Sequence, residues 1–168
     1  RKILRKQKNV AVGLVELSGA DLEQKVVFGP GGGERHYDYL VVATGMEQAY
    51  FGHDEYKPFA PGLKDLNDAV EIRRRILLAF EEAEFELDEE SRRGKLTFVV
   101  VGGGPTGVEL AGAFVEPSTN SLPKDFRLVD PRAARVLLVE GGDQLLKSMP
   151  EAMGLRAQRD LEDMGVEI

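Results

Sequence analysis

The spacing of apolar residues changes along the chain, and each change predicts a different element. Residues 10–17 (VAVGLVEL) and 24–28 (QKVVF) are short, apolar and β-branched, which predicts strands. Residues 36–43 (HYDYLVVA) read as a third strand ending in Thr44-Gly45. GPGGGE at 29–34 predicts a turn, because successive glycines accept positive φ at little steric cost. A β-meander followed by a buried strand is expected there. Residues 46–63 are irregular, broken by Gly52, Pro58, Pro61 and Gly62. From Asp65 to about Leu87 the apolar spacing becomes helical. Leu66, Ala69, Val70, Ile76, Leu77, Phe80, Ala83 and Leu87 fall on one face. Asp65 can cap this helix, and Asp68 adds a carboxylate to its first turn, where the helix dipole favours it. The charged run from Glu84 to Arg93 reads as a solvated helix end and loop.

The second half alternates strands with helices. Residues 96–101 (LTFVVV) run straight into GGGPTG. A helix should follow over 105–115, stopped by Pro117, then a loop over 118–134 and a strand over 135–140. Residues 151–163 fit another helix, with Gly165 past its end, and 166–168 open a further strand. This β-α-β-α-β order implies an α/β fold with a Rossmann-like parallel sheet and right-handed crossovers.

Composition narrows the partners. Hydrophobic content of 42% and charged content of 30% over 168 residues describe a globular protein rather than a disordered one. A net charge of −7 argues against a nucleic-acid partner, since phosphate backbones select basic surfaces. The chain has no cysteine, so it holds no disulfide, thiolate nucleophile or cysteine zinc site. No apolar run approaches the ~20 residues of a membrane span, and the start does not read as a secretory signal. With Arg1 at one end and a strand beginning at the other, the chain reads as an internal stretch of a larger protein.

Gly102, Gly103, Gly104, Pro105, Thr106 and Gly107 form a GxGxxG loop at the point where a buried strand turns into a helix. Gly102 permits the tight turn. Gly104 lets a pyrophosphate approach the backbone, and Gly107 lets the helix lie close to the strand. The helix N-terminus offers free N–H groups and partial positive charge to phosphates. Glu140, ending the next strand, is placed for the adenosine ribose hydroxyls, where a carboxylate repels a 2′-phosphate and favours NADH. It lies roughly thirty positions after Gly107, against the usual ~20; the 118–134 loop takes up the surplus at little closure entropy. Glu109 either complements the helix dipole or stands near the nicotinamide or flavin. His36 and His53 have no ligand-spaced partners, so no metal site is expected, and no Ser-His-Asp arrangement is legible.

Several strings together resemble type II NADH dehydrogenases. They are YDYLVVATG (37–45), YFGHDE (50–55), APGLK (60–64), DAVEIRRRILLAFEEAE (68–84), VVVGGGPTGVELAGAF (99–114) and FRLVDPRAARVLLVEGG (126–142). That family consists of single-chain respiratory-chain flavoproteins that pass electrons from NADH through FAD to a quinone without pumping protons. The resemblance implies that residues 1–60 are the later part of an FAD-binding domain and 61–168 the start of an NADH-binding domain inserted into it. It places Thr44, Gly45 and Leu17 in the vicinity of FAD, and Glu109 by the nicotinamide and flavin. For the parent it implies peripheral membrane association through a C-terminal region, a possible homodimer, and a position on the cytoplasmic side of a bacterial inner membrane or on an organellar inner membrane.

Met46-Glu47-Gln48-Ala49 departs from the small polar residues the family would have after ATG. A glycine loop for the FAD pyrophosphate, the later segment near the flavin and the quinone site have no counterpart in these residues. The stretch alone is therefore expected to be inactive. Two other readings stand beside this one. One is a related FAD/NAD flavoprotein with a disulfide, sulfide or ferredoxin acceptor; the other is a non-catalytic, NADH-sensing flavoprotein.

Overall fold

A computed structural model describes residues 2–168. They divide into two compact units, one ending at Met46 and the other running Glu47–Ile168.

The first unit is a small antiparallel meander: β1 (Gly19–Asp21), β2 (Val26–Phe28) and β3 (Glu34–His36), in that order. The Asp21 side chain accepts the N–H groups of Glu23 and Gln24, and this closes the first turn. The GPGGG turn forms as its glycines require, with Gly31 at φ 69° and Gly32 at φ 77°. Two expectations need correction. Residues 10–17 form no strand, and the third strand stops at His36 instead of reaching residue 43. The Tyr37 N–H reaches the Lys25 carbonyl, and the ladder ends there. Apolar, β-branched runs become strands only where a neighbouring strand meets their N–H and C=O groups in succession, and among the described residues no strand pairs with 10–17 or 38–43. Leu14, Val41 and Val42 are accordingly exposed, whereas Val26, on the central strand, is buried.

In the second unit, α1 (Leu66–Glu84) opens on the expected cap. The Asp65 carboxylate accepts the Asp68 N–H at 2.9 Å, and Asp68 accepts the Asp65 N–H in return. The buried face is narrower than the spacing suggested. It holds Ile72, Phe80 and Ala83, with Ile76 against the last two, while Leu66, Val70 and Leu87 stay exposed. The charged run after it is not a loop: Glu89–Lys95 forms α2, because Asp88 caps it by accepting the Ser91 N–H.

A parallel sheet follows, β4 (Thr97–Val101), β5 (Arg135–Val139) and β6 (Val166–Glu167) in spatial order. It is joined by α3 (Pro105–Glu116) and α4 (Glu151–Asp163). Thr97 pairs with Arg135 and Val101 with Val139. Val100, Val136, Leu138 and Val166 point to one side and pack with Ala111 and Leu161 of the two helices. Val99, Val101 and Val139, on the opposite side, are largely exposed.

Pro117 does not end the helical path after α3. It begins a wider π turn over Pro117–Ser121, whose freed carbonyls are met by side chains. The Ser118 hydroxyl donates to the Val115 carbonyl at 2.7 Å, and Thr119 donates to Val115 and Glu116. The rest of the 118–134 segment packs as well. Leu122 and Val129 are buried against Phe80 and Leu96, and Phe126 stacks obliquely on Phe80. Glu84 ties this segment to α1: its carboxylate accepts the consecutive N–H groups of Arg127, Leu128 and Val129 at 2.9–3.1 Å. Burial resists its ionisation, but the three N–H groups prevail and lower its pKa.

Candidate functional site

The glycine loop emerges from the C-terminal end of β4, where open α/β sheets bind ligands. Its glycines are there for different reasons. Gly102 continues the ladder by donating to the Val139 carbonyl at 2.8 Å, and holds φ 107°, which a side chain would strain. Gly103 is buried, and a Cβ there would overlap Leu145 Cδ2 and crowd Glu140. A Cβ on Gly107 would overlap the Gly102 carbonyl oxygen, so helix and strand end meet only because that Cβ is missing. Gly104 answers to none of these. Its backbone is extended (φ −73°, ψ 178°), and a Cβ there would meet only open space.

Gly104 is also the N-cap of α3, and no side chain caps that terminus. Pro105 occupies the first helical position, where its missing N–H costs nothing. The first helical carbonyl bond runs from the Val108 N–H to the Gly104 oxygen. The N–H groups of Thr106 and Gly107 therefore face the open space in front of Gly104, as an anion site requires.

Glu140 lies beside this loop. One carboxylate oxygen accepts the Gly103 N–H at 2.6 Å and the other accepts the Gly142 N–H at 2.8 Å. The Gly103 N–H, followed by that of Gly142, holds this carboxyl below the ordinary range, so it is anionic at neutral pH. Each oxygen keeps a second lone pair for a hydroxyl donor. Next to it is an open hollow of about 330 Å³, lined by Glu140, Gly142, Asp143, Leu145 and Gln158 among others. Its position past the end of β5, with an anionic acceptor on its wall, suits a ribose and its base.

The structure thus brings Gly102, Gly103, Gly104, Pro105, Thr106, Gly107 and Glu140 together as one site. Glu109 stands on the second turn of α3, exposed. Thr44, Gly45 and Leu17 belong to the other unit. All three are exposed, and Gly45 holds φ 80°. Three residues of the site escape reading from the sequence. From the β5–α4 connection Leu145 and Leu146 contact the loop and Gly142 holds Glu140, and only the Gly141-Gly142 pair after Glu140 hinted at a turn there. Among the described residues no cluster of metal-ligating side chains occurs.

Comparisons with known proteins identify the family and the fold. A family model described as pyridine nucleotide-disulphide oxidoreductase matches residues 2–168. The chain is 47% identical over its whole length to the type II NADH:quinone oxidoreductase NdhA of Mycobacterium tuberculosis, covering 36% of that protein. Against the type II NADH:quinone oxidoreductase Ndh of the same organism, identity is 45% and coverage 37% of that protein. A mitochondrial external alternative NAD(P)H-ubiquinone oxidoreductase B1 of Arabidopsis thaliana is 36% identical over 79% of the chain, which covers 23% of it. The chain therefore spans about a third of the length of the bacterial relatives. Among solved structures, NDH2 from Plasmodium falciparum in complex with NADH superposes with a TM-score of 0.76. It covers 91% of this chain and 32% of its own, at 23% identity, and so supports the fold.

Proposed function

The chain belongs to the pyridine nucleotide-disulphide oxidoreductase family, and from that premise we propose that it is part of an NADH:quinone oxidoreductase. In this reading Gly102–Gly107 and Glu140 bind NADH. The observation that carries it is Gly104: neither its backbone angles nor its packing explain a glycine, so the open space in front of it is what the glycine preserves. A pyrophosphate fits there, against the uncapped N-terminus of α3. Glu140 receives the adenosine ribose hydroxyls on its remaining lone pairs and repels a 2′-phosphate. The relatives' names support NADH as donor and quinone as acceptor.

The family resemblance extends the proposal to FAD. Residues 1–60 would belong to an FAD-binding domain and 61–168 to an NADH-binding domain. Thr44 and Gly45 suit a nucleotide's approach, since Gly45 holds a left-handed turn with open space where a side chain would be. Leu17 would stand near the adenine, and Glu109 would line the region where nicotinamide and flavin meet. Bound flavin supplies the redox chemistry. This chain's own residues bind, orient and select the nucleotide. By the same resemblance the full-length enzyme would associate peripherally, through a C-terminal region, with the cytoplasmic side of a bacterial inner membrane or with an organellar inner membrane, and would be able to form a homodimer. No helix among the described residues is long and apolar enough to cross a membrane.

The experiment is a cofactor comparison in the full-length flavoenzyme with a soluble quinone. NADH should exceed NADPH in kcat/KM by on the order of ten- to a hundredfold, the scale of one unpaired polar contact. Glu140→Gln should narrow that ratio. Equal use of both cofactors by the wild type would refute the assignment of Glu140, and no turnover with any quinone would refute the acceptor.

A further inference from the structure

Helix α4 contains a glycine where a helix has no use for one. Gly154 is the fourth residue of α4, closing its first turn, and is buried. In a helix interior glycine is markedly less favourable than alanine. The reason is visible across the contact: a Cβ on Gly154 would overlap the backbone carbonyl oxygen of Leu145. Backbone cannot swing aside as a side-chain tip can, so α4 lies flush on the 145–146 segment only because Gly154 lacks a side chain.

That segment is itself in contact with the glycine loop. Leu145 is buried, and its Cδ2 occupies the space a Cβ on Gly103 would need. The Leu146 N–H donates to the Gly103 carbonyl at 2.8 Å, while the Gly103 N–H is held by Glu140. Both polar groups of Gly103 are thus fixed by residues 140–146. Leu146 holds φ 52°, a left-handed conformation that branched side chains rarely adopt, yet it is buried. Such a conformation persists where the surroundings impose it, and imposed conformations gather at functional sites. Here the surroundings are Gly103 on one side and α4 on the other.

We propose that Gly154 is a positioning residue for the NADH site: it seats α4 against Leu145 and Leu146, which fix the Gly103 peptide and with it the phosphate-binding loop. The proposal rests on the reading of that loop as an NADH site. A side chain at 154 displaces the 145–146 backbone, and Gly103 moves with it. Phosphate binding weakens while the hydride step, which lies at the other end of the nucleotide, is untouched.

The test is Gly154→Ala in the full-length flavoenzyme, titrated with NADH at saturating quinone, with flavin content measured alongside. KM for NADH should rise roughly tenfold, with kcat held within about twofold and flavin content unchanged. Gly112→Ala serves as control, because a Cβ there would make only an ordinary contact with Met164 at 3.6 Å; its KM should match the wild type. An unchanged KM in Gly154→Ala overturns the proposal. So does a parallel loss of kcat, NADH affinity and flavin, which marks a merely structural role. If the wild type itself does not saturate with NADH, the NADH reading fails first and the proposal with it. Should Gly154→Ala not fold, amide exchange in the wild type decides. NADH should slow exchange over residues 146–153 together with the glycine loop, and protection of the loop alone overturns the proposal.

Discussion

Residues 96–101 and residues 10–17 both read as apolar, β-branched strands, yet only the first run forms one. The difference lies in where the partner comes from. β4 finds β5 a single crossover away, and the connecting helix covers the same face that the two strands share. The strand partner and the first covering helix of β4 both lie inside residues 97–139, and Leu161, Val166 and Phe80 complete the packing from outside it. Residues 10–17 have the same chemistry but pair with no strand among the described residues. An alternating or apolar run states a requirement for a partner, and only a complete supersecondary unit states where that partner is.

The contrast can be sharpened within the glycine loop, where one position serves a ligand and another serves the fold. Gly104→Val should have the largest effect on function. Valine accepts the extended backbone of Gly104 and has room, so the thermal midpoint should hold while NADH binding is lost in the full-length enzyme. FAD should stay bound, since this loop does not serve it. Normal NADH affinity in a titration of this variant would refute the placement. Gly107→Ala should do the reverse in part. Its Cβ meets the Gly102 backbone, so the fold should lose about 1–3 kcal/mol, the usual scale of overpacking, seen as a lowered midpoint even without nucleotide.

Acid should separate the two roles again. The carboxyl of Glu140 sits below its ordinary value of 4.5 because the Gly103 N–H, and then that of Gly142, favour the anion. A depressed folded-state pKa contributes stability that is complete above the unfolded value and lost as pH falls through the folded one. Stability should therefore decline below about pH 4.5 less steeply in Glu140→Gln than in the wild type. Glu71 is held at about 2 by hydrogen bonds from Arg74 and then Arg75, and titrates in both proteins. The difference between the two denaturation series thus isolates Glu140, and superimposable series would remove its anchoring role. The smallest effect belongs to the first unit. Leu14 is 97% exposed, so Leu14→Ser should change stability by less than about 0.5 kcal/mol. A larger loss by thermal melting of the full-length enzyme would mean that residues 10–17 find a partner there after all.

The legible parts of the molecule were those encoded within a few residues. The Asp65–Asp68 capping box, the turn at Gly31-Gly32, the stop at Gly165 and the Gly102–Gly107 loop each depend on neighbours in sequence. The site was legible to the extent that Glu140 ends a strand beside that loop. What escaped depends on distant contacts. Phe80 is buried while Leu77 is not because of where α1 meets Leu96 and the 118–134 segment. The start of α2 at Asp88 was hidden in a run of charges that reads as solvent-facing. The role of Gly154 is invisible without Leu145, nine positions earlier and on another element.

The three N–H groups gripped by Glu84 divide the 118–134 segment into an anchored part and a free part. Leu122 is sunk in the core on one side and Val129 is buried under the carboxylate on the other. Between them Lys124 and Asp125 are exposed, as are Arg127 and Leu128, but the amides of the latter pair are held by the carboxylate. A peptide tag grafted at Lys124-Asp125 would lengthen a short, already closed loop, and each doubling of its length costs only about 0.6 kcal/mol. The same tag placed three residues later would pull the amides of residues 127–129 off the carboxylate. The permissive window for grafting is thus two residues wide, although the segment around it looks uniformly loop-like in sequence.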